Sequence, residues 1–369
     1  MMQLIFFSVY VLILLLGHAV FWFVFVKMFQ IATLKWQVII ALIIFLLFVN
    51  TILASYLIHK WDNVATRYYY MIAGFWIGLL ANFGVTMFFV LLIKLADMIF
   101  GFNPSLLFYK IIFLGVAILL SMIGLYKAMV PKITSYEVLI KDLPDKWNNK
   151  VVVQISDVHL GPVYREKSFA RLLNKVQDLN PEAVFITGDL FDGMESDFSW
   201  LRHPFSKMQV PSGIYYSFGN HDLYLGFNRV VQLLKDNPVK ILDNKMALID
   251  GLQIIGVNYS FNKDFDLEAA ILKQVGYTKD KPSILLFHEP KNIEFAKKAE
   301  IDLQLSGHTH NGQIWPFNHV AKWSYKGYGY GLFSDGDFSL IVNGGAGTWG
   351  PPIRTSGQSE IVKIILKKK

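Results

Sequence analysis

The chain has 369 residues, no cysteine, a formal net charge of +7 and a hydrophobic fraction of 53%. The lack of cysteine excludes disulfides, thiolate metal sites and thiol catalysis. The charge is not a nucleic-acid signature, because residues 1–130 hold seven cations and two anions and so carry five of the seven net positive charges.

Those first 130 residues read as membrane-embedded. A span needs about 20 mainly apolar residues, and four stretches qualify, at 4–26, 36–58, 68–93 and 106–126. The first lacks a basic leading region and is too long for a signal-peptide core, so it is read as a retained span. Short connections predict a four-helix transmembrane bundle over 1–130. His18, Asn50, Asn82 and Lys110 lie in or near the spans and read as helix contacts or snorkelling groups. No row of acidic residues accompanies them, so no ion relay is expected. Tyr68, Tyr69 and Tyr70 fit an interfacial aromatic belt. With an even number of spans, Lys60, Arg67, Lys127, Lys132, Lys141, Lys146 and Lys150 share one side; Lys27, Lys35, Lys94 and Lys110 fall on the other. That bias places the remaining chain on the cytoplasmic side of a bacterial inner membrane.

At residue 131 the texture changes. A linker and alternating first strand are expected over 131–147, then one α/β domain over 148–369, long enough for a packed core. Short apolar runs predict strands at VVVQIS (151–156), AVFITG (183–188), GIYYSFG (213–219), LQIIGV (252–257), SILLFH (283–288) and DLQLSG (302–307). Helical patterns lie between several of them, in REKSFARLLNKVQDL, NRVVQLLKD, DLEAAILKQVG and NIEFAKKAE. Strand–helix alternation implies strands buried on both faces. After residue 310 no further helix is expected, and SLIVNGG and SEIVKIIL read as strands of a second sheet. The architecture expected is two sheets with helices outside.

The ionisable residues fall where these strands end. Asp157 and His159 follow the first run, Asp189 and Asp192 the second, and Asn220, His221 and Asp222 the third. His288 ends the fifth run, and His308 and His310 follow the sixth. In open α/β sheets that edge binds ligands. Carboxylate, amide oxygen and imidazole without sulfur suit divalent cations such as Mn, Fe or Zn. Singly, Asp157 and Asp189 pass for helix caps, Asn220 for a turn residue and His288 for a core histidine. Together, Asp157, His159, Asp189, Asn220, His288, His308 and His310 are too many for one tetrahedral site. Two cations roughly 3.5–4 Å apart that share a carboxylate would use them all. Asp222 reads as structural.

In this order, SDVHLG, GDLFD, GNHD, the isolated His288 and GHTH resemble the five signature blocks of the calcineurin-like metallophosphoesterases, over about residues 148–366. GHTHNGQIWP and GGAGTWGPPIR resemble later segments of that superfamily's membrane-anchored bacterial branch. The resemblance implies a four-layer α-β-β-α sandwich and two divalent metal ions. By motif position, Asp157, His159 and His310 would hold one ion, Asn220, His288 and His308 the other, and Asp189 would bridge them. His221 would lie beside the leaving group, with Asp192 orienting its imidazole. The implied activity is metal-dependent hydrolysis of a phosphodiester or pyrophosphate bond by a hydroxide shared between the ions.

The substrate side is marked more faintly. Arg354 follows the Gly-rich run 344–350, where main-chain N–H groups and a guanidinium suit a phosphate. Its plainer reading is a surface residue on a tight turn. The segment 314–333 packs Trp and Tyr around Gly and reads as a rim over the site or as a second-sheet hairpin. Four spans exceed what an anchor needs, which points to a lipid-linked substrate: a phospholipid, or a nucleotide-diphospho-acyl-sugar of envelope lipid synthesis. A soluble phosphoester such as a cyclic nucleotide or phosphoprotein is the alternative, and a membrane sensor or scaffold the alternative of another class. The partner expected is the bilayer, with neither nucleic acid nor a protein partner called for.

Overall fold

The computed structural model describes residues 2–261 and 275–369, with side chains from Ser8 onward. Most of the helix expected at DLEAAILKQVG lies outside the described residues. The chain divides into two compact units, Met1–Tyr126 with Gly350–Thr355, and Lys127–Trp349 with Ser356–Lys369.

In the first unit α1 (Met2–Met28), α2 (Leu34–Lys60), α3 (Val64–Phe100) and α4 (Leu106–Met129) are each long and apolar enough to cross a bilayer. Ile13, Leu46, Ile72 and Leu107 are all more than 60% exposed, which suits hydrocarbon and not water. Helix α3 overruns the expected span 68–93 at both ends. Asn63 Oδ1 accepts the N–H groups of Ala65 and Thr66 at its start, and Gly101, at φ 67°, ends it. One π-helical turn, Ile112–Val116, interrupts α4.

Polar residues inside this unit join helix to helix. Trp76 Nε1–H donates to His18 Nε2 at 3.0 Å, and Asn82 Nδ2 donates to Ser121 Oγ at 2.9 Å. The Gly350–Thr355 segment is seated here too. A Cβ on Gly78 or Gly124 would fall 2.4 Å or 2.5 Å from Ile353, so only glycine fits beneath it. Arg354, next in sequence, is buried, and its N–H donates to the Gly124 carbonyl at 2.9 Å.

The second unit holds two six-stranded sheets. The first runs β1 (Lys132–Ile140), β12 (Glu360–Lys368), β2 (Val151–Ile155), β3 (Ala183–Thr187), β4 (Ile214–Ser217), β5 (Val239–Ile241). The other runs β10 (Gly331–Asp335), β11 (Phe338–Val342), β9 (Leu303–Ser306), β8 (Ser283–Phe287), β7 (Leu252–Val257), β6 (Lys245–Ile249). Strands β2 to β5 pair in parallel, as do β7, β8, β9 and β11. The helices are α5 (Glu166–Gln177), α6 (Arg202–Phe205), α7 (Asn220–Leu225), α8 (Phe227–Leu234), α9 (Ile293–Lys298) and α10 (Phe317–Ser324).

Period-2 alternation sorts the strand residues into three apolar layers. Val152, Phe185, Ile284, Leu286 and Leu305 pack between the two sheets. Val153, Ile155, Val184 and Ile186 face outward onto Phe169, Leu172 and Leu173 of α5. Leu285 and Phe287 face the other way, onto Ile293 and Ala296 of α9. Full burial of one such side chain stabilises the fold by about 1.5–3 kcal/mol. The result is the helix–sheet–sheet–helix sandwich expected.

Two expectations are corrected. SEIVKIIL is not in the second sheet: β12 inserts between β1 and β2 of the first. Val362, Ile364 and Leu366 supply its inter-sheet face and Ile361 the opposite one. Alternation shows which residues face inward but carries no label for the sheet. Helices also do not stop at residue 310, since α10 follows. Its apolar residues point outward, so the burial pattern that reveals a core helix is missing.

Candidate metal centre

The site is built where β2, β3 and β4 of one sheet and β8 and β9 of the other end. Five of the seven expected ligands stand in the left-handed backbone region: Asp157 (φ 51°), His159 (52°), Asp189 (51°), His308 (69°) and His310 (50°). Non-glycine residues rarely adopt it, and such strain gathers at functional sites. The left-handed turn lets each strand fold sharply over its own end. Two glycines permit the closest approaches. A Cβ on Gly219 would lie 2.2 Å from Asp189 Oδ1, and one on Gly307 would lie 2.3 Å from Asp157 Oδ2.

Hydrogen bonds tie the loops together across the sheets. His159 N–H donates to the Asp189 carbonyl at 3.1 Å, and Gly307 N–H to the His288 carbonyl at 2.8 Å. The Asp157 carboxylate accepts the N–H of His308, with both oxygens at 3.1 Å. Asp189 Oδ1 accepts the N–H of His221 at 2.8 Å. Buried Asp222 takes three main-chain N–H groups, from Asp189 (2.7 Å), Gly219 (2.8 Å) and Phe191 (3.0 Å). It fixes the Asp189 and Asn220 loops against each other, consistent with a structural role.

The side chains form overlapping groups. Asp157, His159 and His310 bring ligand atoms within 4.8 Å of one another, and so do Asp189, His288 and His308. A third group joins Asp189 to His159 and His221, so Asp189 belongs to both halves of the site. His159 Nε2 is 3.0 Å from His310 Nε2, and His310 Nε2 is 3.3 Å from Asp157 Oδ1. His288 Nδ1 donates to the Thr187 carbonyl at 2.7 Å, which turns Nε2 toward Asp189 Oδ2 at 3.1 Å.

The electrostatics follow from packing charge in a dry place. Burial lowers the pKa of His288, but the Asp189 carboxylate outweighs it and raises it to about 10. Burial likewise acts to raise Asp189, yet His288, His159 and His221 hold it well below the usual carboxylate range. His308 is pushed down to about 3 by burial and by His288. Burial raises Asp157.

The donor set fits divalent cations. Carboxylates and imidazoles converge in each of these groups. Among the described residues, Asn220 Oδ1 is buried with no hydrogen-bond partner, an acceptor aimed at nothing in the chain. Two imidazole nitrogens 3.0 Å apart beside a carboxylate also suit a shared cation.

His221 and Asp192 meet through the main chain of Asp192. His221 Nδ1 donates to the main-chain carbonyl of Asp192 at 2.9 Å. The Asp192 carboxylate instead lies 3.2 Å from His159 Nδ1. The carboxylate thus faces a candidate ligand, while the main-chain carbonyl of the same residue holds His221. Burial and the nearby His159 hold the His221 pKa below its ordinary value. Arg354 belongs to the helical unit.

Several neighbours carried little signal in sequence. Glu289 is buried beside His288, where its Oε1 accepts from Tyr325 at 3.0 Å and from Lys291 at 2.6 Å, 3.8 Å from His308 Nε2. Tyr259 and Tyr325 flank the His308 ring, with centroids 5.9 and 6.0 Å away. Tyr224 and Trp349 flank His221 at 5.2 and 6.2 Å. Adjacency to His288 is the one clue that could have marked Glu289.

A family model described as calcineurin-like phosphoesterase matches residues 150–312. An uncharacterized metallophosphoesterase of Campylobacter jejuni is 34% identical over 71% of this chain and 72% of its own length. A transmembrane protein with metallophosphoesterase domain of Danio rerio is 31% identical over 65% of this chain and 58% of its own. Its counterpart in Bos taurus is 31% identical over 68% and 61%. This chain thus spans less than two thirds of those two animal proteins, and the likeness is not confined to bacteria. The crystal structure of a 5'-nucleotidase precursor from Thermus thermophilus aligns over 55% of this chain and 49% of its own, at 15% identity and a TM-score of 0.35.

Proposed function

Because this chain belongs to the calcineurin-like phosphoesterase family, we propose that it is a membrane-anchored di-metal phosphohydrolase that cleaves a phosphodiester or pyrophosphate bond. The observation that carries the reading is the grouping of Asp157, His159 and His310, and of Asp189, His288 and His308, together with a buried, unpartnered oxygen on Asn220.

Asp157, His159 and His310 would hold one divalent ion, Asn220, His288 and His308 the other, and Asp189 both. Bound there, the ions would neutralise phosphate charge and lower the pKa of a water, with Mn, Fe and Zn the candidates. The residues themselves do the positioning. Thr187 fixes the His288 tautomer through Nδ1, and Asp192 holds the His159 ring from behind. His221, with its Nδ1–H committed to the Asp192 carbonyl, has Nε2 left to exchange a proton with the leaving oxygen.

Four apolar helices and relatives named as transmembrane proteins make this a membrane protein. The basic residues flanking the spans support a metal-binding unit on the cytoplasmic side of a bacterial inner membrane. The substrate proposed is lipid-linked, a phospholipid or a nucleotide-diphospho-acyl-sugar, met at the bilayer surface. Arg354 is retained as a proposed anion contact on sequence position alone.

The test uses the full chain in detergent. Bound metal is measured, and turnover of bis(p-nitrophenyl) phosphate is compared with turnover of lipid-linked diphosphates. Asp189→Asn and Asn220→Ala should abolish both. Activity that survives both changes refutes the two-ion assignment, and turnover of the soluble ester alone refutes the lipid-linked substrate.

A further inference from the structure

Helix α10 has a feature that the metal chemistry does not use. Phe317, Val320 and Trp323 recur every third residue and are 55%, 52% and 82% exposed, so they form one outward ridge. Trp323 is the most exposed large apolar side chain of the sheet unit among the described residues. Asn318 and Ala321 point inward, while His319 and Lys322 stand exposed beside the ridge and Lys326 lies just beyond. A Phe and Trp ridge bordered by lysine is the pattern of a helix that lies in the boundary between lipid headgroups and acyl chains.

The ridge is rigidly mounted. A Cβ on Gly312 would come within 2.1 Å of the Asn318 nitrogen, and one on Gly329 within 2.9 Å of Lys322 Cα, so main chain presses on main chain at both sides of the helix. The Thr309 hydroxyl donates to the Gly329 carbonyl at 2.7 Å and ties the same segment to the GHTH turn. Side chains on a loose loop could fold away from water; these cannot.

We propose that the ridge Phe317–Val320–Trp323 seats in the lipid–water interface, a membrane contact additional to the four apolar helices. The occupant is a bilayer because the same chain carries those helices and only Val130 and Pro131 separate α4 from β1. A tether that short keeps a bilayer at high effective concentration around the sheet unit. Lys322 and Lys326 suit anionic headgroups. Since α10 follows directly on the turn that carries His308 and His310, a seated ridge holds those two residues at a constant height over the lipid surface. This goes beyond the phosphohydrolase reading and does not rest on it, because the ridge can seat whatever the site hydrolyses.

The chain has no cysteine, so single labels are straightforward. Val320→Cys, Trp323→Cys, Lys322→Cys and Leu248→Cys, the last on exposed β6, are each coupled to an environment-sensitive fluorophore. The full chain is placed in nanodiscs of phosphatidylglycerol and phosphatidylethanolamine, with and without doxyl-labelled lipid. Labels at 320 and 323 should shift to the blue and be quenched at least about twofold more than those at 322 and 248. Equal, water-like emission at all four overturns the proposal. So does a blue shift at 320 and 323 without quenching, which would mean that the ridge faces protein. Neither readout depends on turnover, so failure here leaves the catalytic reading untouched, and failure of that reading leaves this one standing.

Discussion

The Nε2 atoms of His159 and His310 lie 3.0 Å apart, with Asp157 Oδ1 3.3 Å from the latter. A single proton can bridge the two rings, but it cannot also neutralise Asp157. A divalent ion held here would take a lone pair from each imidazole and an oxygen from the carboxylate.

Metal removal follows from this. The purified chain should hold about two ions, and His310→Ala about one. Stripping the ions with a chelator should lower the melting temperature of the sheet unit, and returning Mn or Zn should restore it, because ions that bind only the folded site stabilise it by mass action. Elemental analysis beside a thermal melt decides. Unchanged metal content in His310→Ala, or a melt indifferent to chelation, contradicts the assignment.

Asp222→Ala removes the acceptor of three buried N–H groups, those of Asp189, Phe191 and Gly219. Each buried donor left unpaired costs about 1–3 kcal/mol, so the loss should be about 3–6 kcal/mol with some relaxation allowed. Asp222→Asn keeps one acceptor oxygen and should fall between. Burial and the Asp189 charge raise the Asp222 pKa to about 7, so these variants are best compared by melting temperature at one fixed pH.

His221 and Asp192 should separate cleanly. His221→Ala should leave metal content intact and lower kcat by about 10²–10⁴-fold, the usual contribution of one proton-transfer group. Asp192→Asn leaves the carbonyl that holds His221 and alters the carboxylate behind His159. It should therefore weaken metal binding by about 10–100-fold. Equal metal loss in both variants would show that the two residues act as one group.

The sandwich and the candidate ligands were legible in sequence for one physical reason. Buried parallel strands are short apolar runs, and each run here ends in a residue that no core would otherwise take, such as Asp157 or His288. What could not be read was anything set by long-range pairing. Val362 and Ile364 alternate as any strand does, and nothing local places them between β1 and β2. The left-handed backbone at Asp157 and His310 leaves no mark in composition. Whether Asp192 presents its carboxylate or its carbonyl to His221 depends on a loop path that spacing does not fix. Helix α10 was not legible because Phe317, Val320 and Trp323 face outward, so no buried stripe marks it.

Away from the metal ligands, a partly buried carboxyl makes stability depend on pH. Asp302 Oδ2 accepts the N–H of Ser283 at 2.8 Å and its hydroxyl at 3.2 Å, just before β9. Burial nonetheless raises its pKa from 3.8 to about 6, since the desolvation of the charge outweighs those bonds. The folded state thus binds this proton more tightly than the unfolded chain does. Between about pH 4 and pH 6 the folded state holds more protons, so stability falls as pH rises through that window and levels off above it. A gap of about two pKa units sets a ceiling of about 3 kcal/mol, reduced to about 1–2 kcal/mol by solvent screening of a carboxyl that is only partly buried. Asp302→Asn is neutral at every pH. Its melting temperature should exceed that of the unmodified chain at pH 7.5, and the two should converge near pH 4. A variant that melts lower than the unmodified chain by a larger margin at pH 7.5 than at pH 4 would mean that the charged carboxylate is stabilising, and that its bonds to Ser283 outweigh its burial.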